Sequence, residues 1–371
     1  MQFRDVIGQS ELKDHLISEV QKDMISHAQL FLGKAGYGGL PLALAFIQYL
    51  FCENKGEEDS CGSCPSCHKV RDLQHPDLHF SFPVVQTLGK RSDLFIKNWR
   101  EQVKEKPYFS LTEWVRRIDD KERRPIMSAE ESQDIIRKLS LKSYEGGYKV
   151  MVVWMAEEMN PHCSNKLLKI LEEPPARTLF VLLCESQDQL LPTIVSRTQI
   201  LKVPRVSSDE LSLYLRNKNI SSSSAMSIVG RSEGDVIEAI DLSGDHHAQD
   251  QNMELFKQLM RVCYKKDVIP MLDWAEETSS ITKDRQKTFL EYALHMFRQS
   301  MLKNYTGEQL TKVSAEEEEF LKNFAKFITG NNVLDFMQTF NDAHYHLERN
   351  ANAKILFTNL CFKVMRYIHF A

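Results

Sequence analysis

Up to about residue 203 the chain alternates short apolar runs with segments of helical period. The runs at 28–32, 78–82, 149–154, 178–184 and 199–203 are near-continuously apolar, the pattern of strands covered on both faces. Between them, 42–51 and 165–171 place apolar residues at amphipathic helical spacing. Ser128-Ala129-Glu130-Glu131 has the spacing of a capping box and predicts a helix that continues through Ile135, Ile136 and Leu139. Strands separated by helices predict an α/β domain, a parallel sheet flanked by helices.

The alternation is interrupted from about 89 to 124 by a stretch rich in charge and aromatics. Trp99, Tyr108, Phe109 and Trp114, interleaved with Lys and Arg, read as a helical insertion that packs its aromatics on the sheet. A nucleic-acid or protein surface is the alternative. After Pro204 the strand signals stop. Ser207-Ser208-Asp209-Glu210 opens a short helical region, the serines at 221–224 separate it from a second helix, and the polar stretch 243–251 reads as a linker. Long helices then follow at 253–265, 283–303, 315–328 and 333–369, the last broken near Asn350. The Glu316–Glu319 run is a solvated helix face. No internal repeat is evident.

Composition narrows the class. The 371 residues are 42% hydrophobic and 26% charged, which excludes a wholly disordered or collagen-like chain. No stretch approaches the ~20 apolar residues of a membrane span, and the first residues lack a basic start followed by an apolar run. A cytoplasmic chain without a membrane partner is expected. The formal net charge of -4 gives no strong overall field for nucleic acid, so any DNA contact needs a local patch or comes through partners.

Two constellations carry candidate chemistry. After the run ending at Leu32, Gly33-Lys34-Ala35-Gly36-Tyr37-Gly38-Gly39-Leu40 aligns with a phosphate-binding loop through Gly33 and Gly38. Gly39 stands where that loop needs a lysine for the phosphates, and Leu40 where it needs a hydroxyl for magnesium. Lys34 lies on the other side of the loop. The acidic pair that should end the strand near 154 falls on Met155-Ala156, with Glu157 and Glu158 displaced and expected to point into the following helix. These losses predict no ATP binding and no intrinsic ATPase; a plain strand-to-helix turn is the bland alternative. The second constellation is Cys52-x8-Cys61-x2-Cys64-x2-Cys67. Four thiolates suit a closed, structural zinc site, and an iron–sulfur cluster uses similar spacing. His68 is a competing ligand, and the flanking Glu53, Glu57, Glu58 and Asp59 disfavour a phosphate-facing surface. Cys163, Cys184, Cys263 and Cys361 lie in apolar surroundings and read as ordinary buried side chains.

With these motifs in place the chain resembles the delta-prime family of bacterial DNA polymerase III clamp-loader subunits, within the AAA+ superfamily. The resemblance begins at Phe3-Arg4-Asp5-Val6-Ile7-Gly8-Gln9, continues through His27-Ala28-Gln29-Leu30-Phe31-Leu32-Gly33 and resumes at His75-Pro76-Asp77-Leu78. It is strongest in Ala156-Glu157-Glu158-Met159-Asn160, in Asn165-Lys166-Leu167-Leu168-Lys169-Ile170-Leu171-Glu172-Glu173-Pro174-Pro175, and in Ser196-Arg197-Thr198. It covers most of the first 245 residues and is weaker beyond; the insertion at about 89–124 has no counterpart in it.

The resemblance implies an AAA+ RecA-like domain at 1–204 with a zinc module at 52–67, a small helical lid at 205–246, and an all-α collar domain for oligomerisation at 250–371. It implies a subunit of the DNA polymerase holoenzyme that joins gamma/tau and delta subunits in a hetero-pentameric ring. That ring loads the beta sliding clamp onto primed DNA using ATP. It implies zinc at the four cysteines. It also implies that Arg197, with Ser196 beside it, acts in trans as an arginine finger on a neighbouring subunit's ATP; a surface salt bridge is the structural alternative. Gly33, Gly36, Gly38, Gly39 and Leu40 then belong to a degenerate loop, and Ile237 stands where active lids carry an arginine. Thr198 replaces the family's usual Cys. Two competing functions stay open: an ATP-hydrolysing, gamma/tau-like subunit with a degenerate loop, and a zinc-dependent nucleic-acid-binding module using the insertion.

Overall fold

The computed structural model describes residues 1–244, 246–306, 311–349 and 351–369. They form two compact units, Met1–Leu211 with Gly234–Glu238, and Ser212–Glu233 with Ala239–Ala371.

The first unit is built on a parallel sheet of β1 (Ala28–Leu32), β2 (Leu78–Ser81), β3 (Lys149–Val153), β4 (Thr178–Cys184) and β5 (Gln199–Lys202), in the order β2-β3-β4-β1-β5. The expected parallel α/β sheet is therefore present, with three strands a residue shorter than the apolar runs. Period-two alternation divides the strand residues between two cores. Phe31, Val150, Val152, Leu179, Val181 and Leu183 face one, and Leu30, Met151, Val153, Phe180 and Leu182 face the other. On the first face lies α1 (Gly39–Phe51), buried on every side from Leu40 to Leu50 rather than amphipathic. Helix α2 (Pro65–Arg71) takes Cys64 as its N-cap and contains Cys67, the last of the four clustered cysteines.

The insertion folds as α3 (Ile96–Glu105) and α4 (Leu111–Ile118) over the same face. Trp99 and Trp114 are fully buried; Trp99 stacks on Phe82 at 4.4 Å between ring centres, and Trp114 Nε1 donates to Pro83 O at 2.8 Å. The packing expectation holds. Faces enclosed in this way have nothing to offer a base, which removes the aromatic basis of the nucleic-acid alternative.

On the opposite face, α5 (Ala129–Ser140) begins where the Ser128 signal places it, but no capping box forms. Glu131 is drawn inward instead. Its carboxylate accepts from Ser81 Oγ at 2.7 Å and Ser92 N at 2.7 Å, and burial pushes its pKa up. Beside it, α6 (Pro161–Glu172) starts on Asn160, whose side chain accepts from Cys163 N at 2.8 Å, with Pro161 at the first helical position. The His75-Pro76-Asp77 motif is a structural clip: Asp77 accepts from Tyr144 N and Glu145 N at 2.7 and 2.9 Å, tying the approach to β2 to the approach to β3.

The second unit is helical. Helix α7 (Ser208–Asn217) carries the division between the units; α8 (Ser222–Ser232) is capped by Ser221, so the serine run lies in its first turn instead of between helices. The 243–251 stretch is not a linker. It is helical in α9 (Val236–Gly244) and α10 (His246–Lys265), on either side of Asp245, which lies outside the described residues. Buried Asn252, Met253, Phe256 and Leu259 hold α10 in place, and anchored residues override a polar composition. Helix α11 (Val268–Ser280) has no counterpart among the expected helices; Pro270 sits in its first turn, where a proline removes an N–H that has no helical acceptor. Helices α12 (Lys283–Thr306), α13 (Ala315–Phe324), α14 (Val333–Glu348) and α15 (Ala353–His369) complete the unit around Phe256, Trp274, Phe289, Phe297, Phe336 and Phe357. Asn350 lies outside the described residues, between the two helices of the expected break.

Inside this helical core His295 is enclosed, its Nε2 without a partner. Burial, reinforced by the charges of Arg231 and Arg298, lowers its pKa to about 3. An unfolded histidine takes up a proton near pH 6.5, so the stability held by neutral His295 is complete above that pH. It is lost as pH falls toward the folded value, by up to about 1.4 kcal/mol per pH unit. Urea unfolding at pH 6.5 and pH 5 is expected to differ by about 2 kcal/mol more in the wild type than in His295→Leu. Equal differences would assign the acid sensitivity elsewhere.

Candidate functional site

The glycine-rich loop lies where β1 meets α1, its first residue fixed by sheet contacts. Gly33 N donates to Cys184 O at 3.0 Å, and a Cβ on Gly33 would stand 2.4 Å from Val203 O. Gly38 takes a left-handed conformation with φ +89°. The space above this turn is occupied by the chain's own groups. Ala35 N donates to Glu185 Oε1 at 2.7 Å. The Asp235 carboxylate lies so close over Gly36 that a Cβ there would be 1.7 Å from Oδ1. Tyr108, from the insertion, lies over Gly38 and accepts from Ile7 N at 2.9 Å.

What remains is a cavity of about 20 Å³, lined in part by Gly39, Leu40, Phe109, Trp154 and Met155. That is room for about one water. Lys34 also lines it. Met155 has φ 53°, a conformation unfavourable for a long side chain, and packs into the core of that face. Glu157 does not point into the following helix. It reaches back to the end of β4, where its carboxylate accepts from Glu185 N at 2.7 Å; burial raises its pKa. The site thus gathers carboxylates from Glu157, Glu185 and Asp235 at a loop whose usual ligand is an anion. Gly39, Leu40 and Met155, the positions that the sequence alignment assigns to the lysine, hydroxyl and acid, all line this cavity. Sequence reasoning missed Tyr108, Glu185 and Asp235, which lie far from the loop in sequence and carry no motif.

Arg197 follows the short helix Pro192–Val195, whose C-cap is Ser196. Its Nε donates to Glu172 Oε1 at 2.8 Å, its Nη1 to Thr193 O at 2.8 Å and to Ser196 Oγ at 3.3 Å; Nη2 also pairs with Glu172. The first glutamate of the Leu-Glu-Glu-Pro-Pro block is therefore the partner of the Ser-Arg arginine, since α6 ends at Glu172 beside the helix that carries Arg197. The side chain keeps 31% of its exposure. The salt bridge exists, and it holds the guanidinium at the surface.

Cys52, Cys61, Cys64 and Cys67 converge, with all four sulfurs within 4.8 Å of one another. A tetrahedron with Zn–S bonds of about 2.3 Å has sulfur–sulfur edges of about 3.8 Å. Cys52 to Cys61 is 3.5 Å and Cys61 to Cys67 is 3.9 Å. Backbone N–H groups point at the sulfurs: Cys61 N to Cys52 Sγ at 3.3 Å, Cys64 N to Cys61 Sγ at 3.3 Å and Cys67 N to Cys64 Sγ at 3.4 Å. The N–H groups of Ser63 and Cys64 lower the Cys61 thiol to about 6, while burial raises Cys67. An all-thiol donor set of this size and shape is compatible with zinc. His68 is turned to Arg71, whose Nη2 lies 2.6 Å from its Nδ1, and is not part of the cluster.

A family model described as "DNA polymerase III, delta subunit" matches residues 8–207. The chain belongs to this family of DNA polymerase III clamp-loader subunits. Within it the relationship is to the delta-prime subunits: the chain is 29% identical over 242 residues to DNA polymerase III subunit delta′ of Bacillus subtilis, covering 65% of this chain and 61% of that protein. It is 31% identical over 171 residues to the delta′ subunit of Yersinia pestis, covering 46% of this chain and 39% of that one. DNA polymerase III subunit tau of Bacillus subtilis is 22% identical over 99% of this chain and 62% of its own length. The matched segments thus span less than two thirds of the length of these relatives. Among the described residues no helix is long and apolar enough to cross a membrane.

Proposed function

We propose that the chain is a non-hydrolysing subunit of a DNA polymerase III clamp loader. In this reading an AAA+ domain, a lid at 205–246 and a collar at 250–371 place it in a hetero-pentameric ring with gamma/tau and delta subunits. The ring loads the beta clamp onto primed DNA in the cytoplasm, and zinc at the four cysteines is structural. The observation that carries the proposal is the closed loop. Tyr108 and Asp235 stand over Gly38 and Gly36, and Glu185 takes the Ala35 N–H, where a nucleoside triphosphate would sit, and the remaining space holds about one water. A triphosphate entering this loop would have to displace an aromatic ring and face carboxylates without a lysine or a magnesium ligand to offset its charge.

Against that, an ATP-hydrolysing gamma/tau-like role would need the loop to open and to gain charge. The two readings separate cheaply. Calorimetric titration of the purified chain with Mg-ATP should show no binding, and phosphate release should stay at background. Gly39→Lys with Leu40→Thr restores the two loop side chains, and Gly39 has ordinary van der Waals space beside Leu183. Because the occluding groups remain, the double variant is still expected to bind Mg-ATP no tighter than about 1 mM. Micromolar binding by either protein, or turnover by the chain alone, would reject the proposal.

The exposed guanidinium of Arg197 supports the second half of the reading. It is held at one oxygen of Glu172 and one backbone carbonyl, a pre-organised planar donor for a phosphoryl group on a neighbouring subunit.

A further inference from the structure

Beside the cysteine cluster, a cleft of about 470 Å³ opens between α1, α2 and α3. Its volume falls in the range of ligand clefts, about 300–1,000 Å³. Leu44, Val70, Leu73, Val103 and Pro107 form an apolar wall. One side is positioned by the cysteines, because Val70 and Arg71 close the helix whose N-cap is Cys64; the other belongs to the insertion through Val103 and Lys104. Nothing in the clamp-loading reading uses it.

The charges at its rim do not cancel. Lys104 Nζ pairs with Asp72 Oδ1 at 2.9 Å; the Asp5 carboxylate, which accepts from Gln2 N at 2.8 Å, is offset by the ammonium of Met1, which also lines the cleft and donates to Gln48 Oε1 at 3.0 Å. Arg71 also lines the cleft, is exposed, and donates only to the ring nitrogen of His68; among the described residues it has no ion pair. An apolar wall with one uncommitted guanidinium at its edge matches a ligand that is apolar at one end and anionic at the other.

We propose that this cleft binds the carboxyl end of a peptide whose last side chain is apolar. The side chain lies on the Leu44–Val103 wall, and the terminal carboxylate takes the fork of Arg71. The Lys104–Asp72 pair offers a donor and an acceptor to the preceding peptide unit. A simple alkyl carboxylate would lay methylenes against that pair and strip its water without replacing it, so a peptide is favoured over a fatty acid.

The test uses the full zinc-loaded chain and is independent of ATP chemistry. N-acetyl-Ala-Phe with a free carboxylate, its carboxamide and octanoate are titrated by calorimetry. The free acid should bind saturably and at least about tenfold more tightly than either control. Arg71→Gln should reduce the acid to the level of the amide, with zinc content and melting unchanged. Because Arg71 sits near Cys67, the comparison of acid with amide on the unaltered chain decides the matter even if the variant loses metal. No saturable binding of the acid at about 5 mM, equal binding of acid and amide, or octanoate binding as tightly as the acid would overturn the proposal.

Discussion

Arg197→Ala is expected to leave the chain folded and able to join gamma/tau and delta subunits, while lowering DNA-dependent ATP hydrolysis at the adjoining site by about 10³-fold. The fold tolerates the change because Arg197 and Glu172 are 31% and 46% exposed, and an ion pair in that setting contributes about 0–1 kcal/mol. On the trans reading the rate should not tolerate it. Charge spread over the phosphoryl oxygens of the transition state would lose its guanidinium, and among the described residues no other cation pairs with the Glu172 oxygen that positions it. Arg197→Lys should recover little, since an ammonium cannot hold Glu172 and present a second fork to phosphate. Single-turnover ATP hydrolysis by the reconstituted assembly with primed DNA gives the measurement. An unchanged rate with Arg197→Ala in an intact assembly rejects the trans role and leaves the salt bridge as the residue's whole purpose.

Loss of the metal should have the largest effect on stability. Zinc is expected at one equivalent per chain, and Cys64→Ser should abolish it. Structural zinc sites in small peptides have apparent binding energies of about 10–16 kcal/mol, much of it folding energy. Here the cluster is embedded in a unit with its own core, so a smaller loss of about 3 kcal/mol is expected, roughly 6–12 °C in melting temperature. The loss should centre on the segment whose helix is capped by Cys64. Cys163→Ser is the control. That residue is buried on the opposite face of the sheet and outside the cluster, so zinc content should be unaffected. Iron in place of zinc, or a Cys64→Ser protein that keeps full metal, would overturn the assignment.

Much of the first unit could be read before any coordinates, and the reasons are local. A strand buried on both faces is apolar at most positions, and the runs at 28–32 and 178–184 coincide with β1 and β4 despite buried Gln29 and Thr178. Cysteines at x2 spacing can close on one ion by turn geometry alone, so their convergence followed from sequence distance. Ser128 announced the start of α5 because helix-start signals lie within a few residues of sequence, although its side chain forms no cap bond. Where local signals misled, burial was the cause. Glu131 has capping-box spacing, but two serines from other elements bind its carboxylate. The 243–251 stretch reads as a linker until Met253 and Phe256 anchor α10.

By itself the sequence indicated a parallel α/β unit, a four-cysteine cluster, and a glycine-rich turn with Gly39, Leu40 and Met155 where a phosphate loop carries its lysine, hydroxyl and acid. Each of these depends on residue identity at short range, where covalent spacing dictates geometry. Only the tertiary structure decided that the loop is filled. The ring of Tyr108 and the carboxylates of Glu185 and Asp235 reach Gly38, Ala35 and Gly36 across about 70, 150 and 200 residues of chain. The structure likewise decided that Glu172 holds Arg197, and that the insertion's tryptophans face inward. Such meetings depend on how the sheet twists and which faces bury the most apolar surface, and these are sums over the whole fold that no motif records.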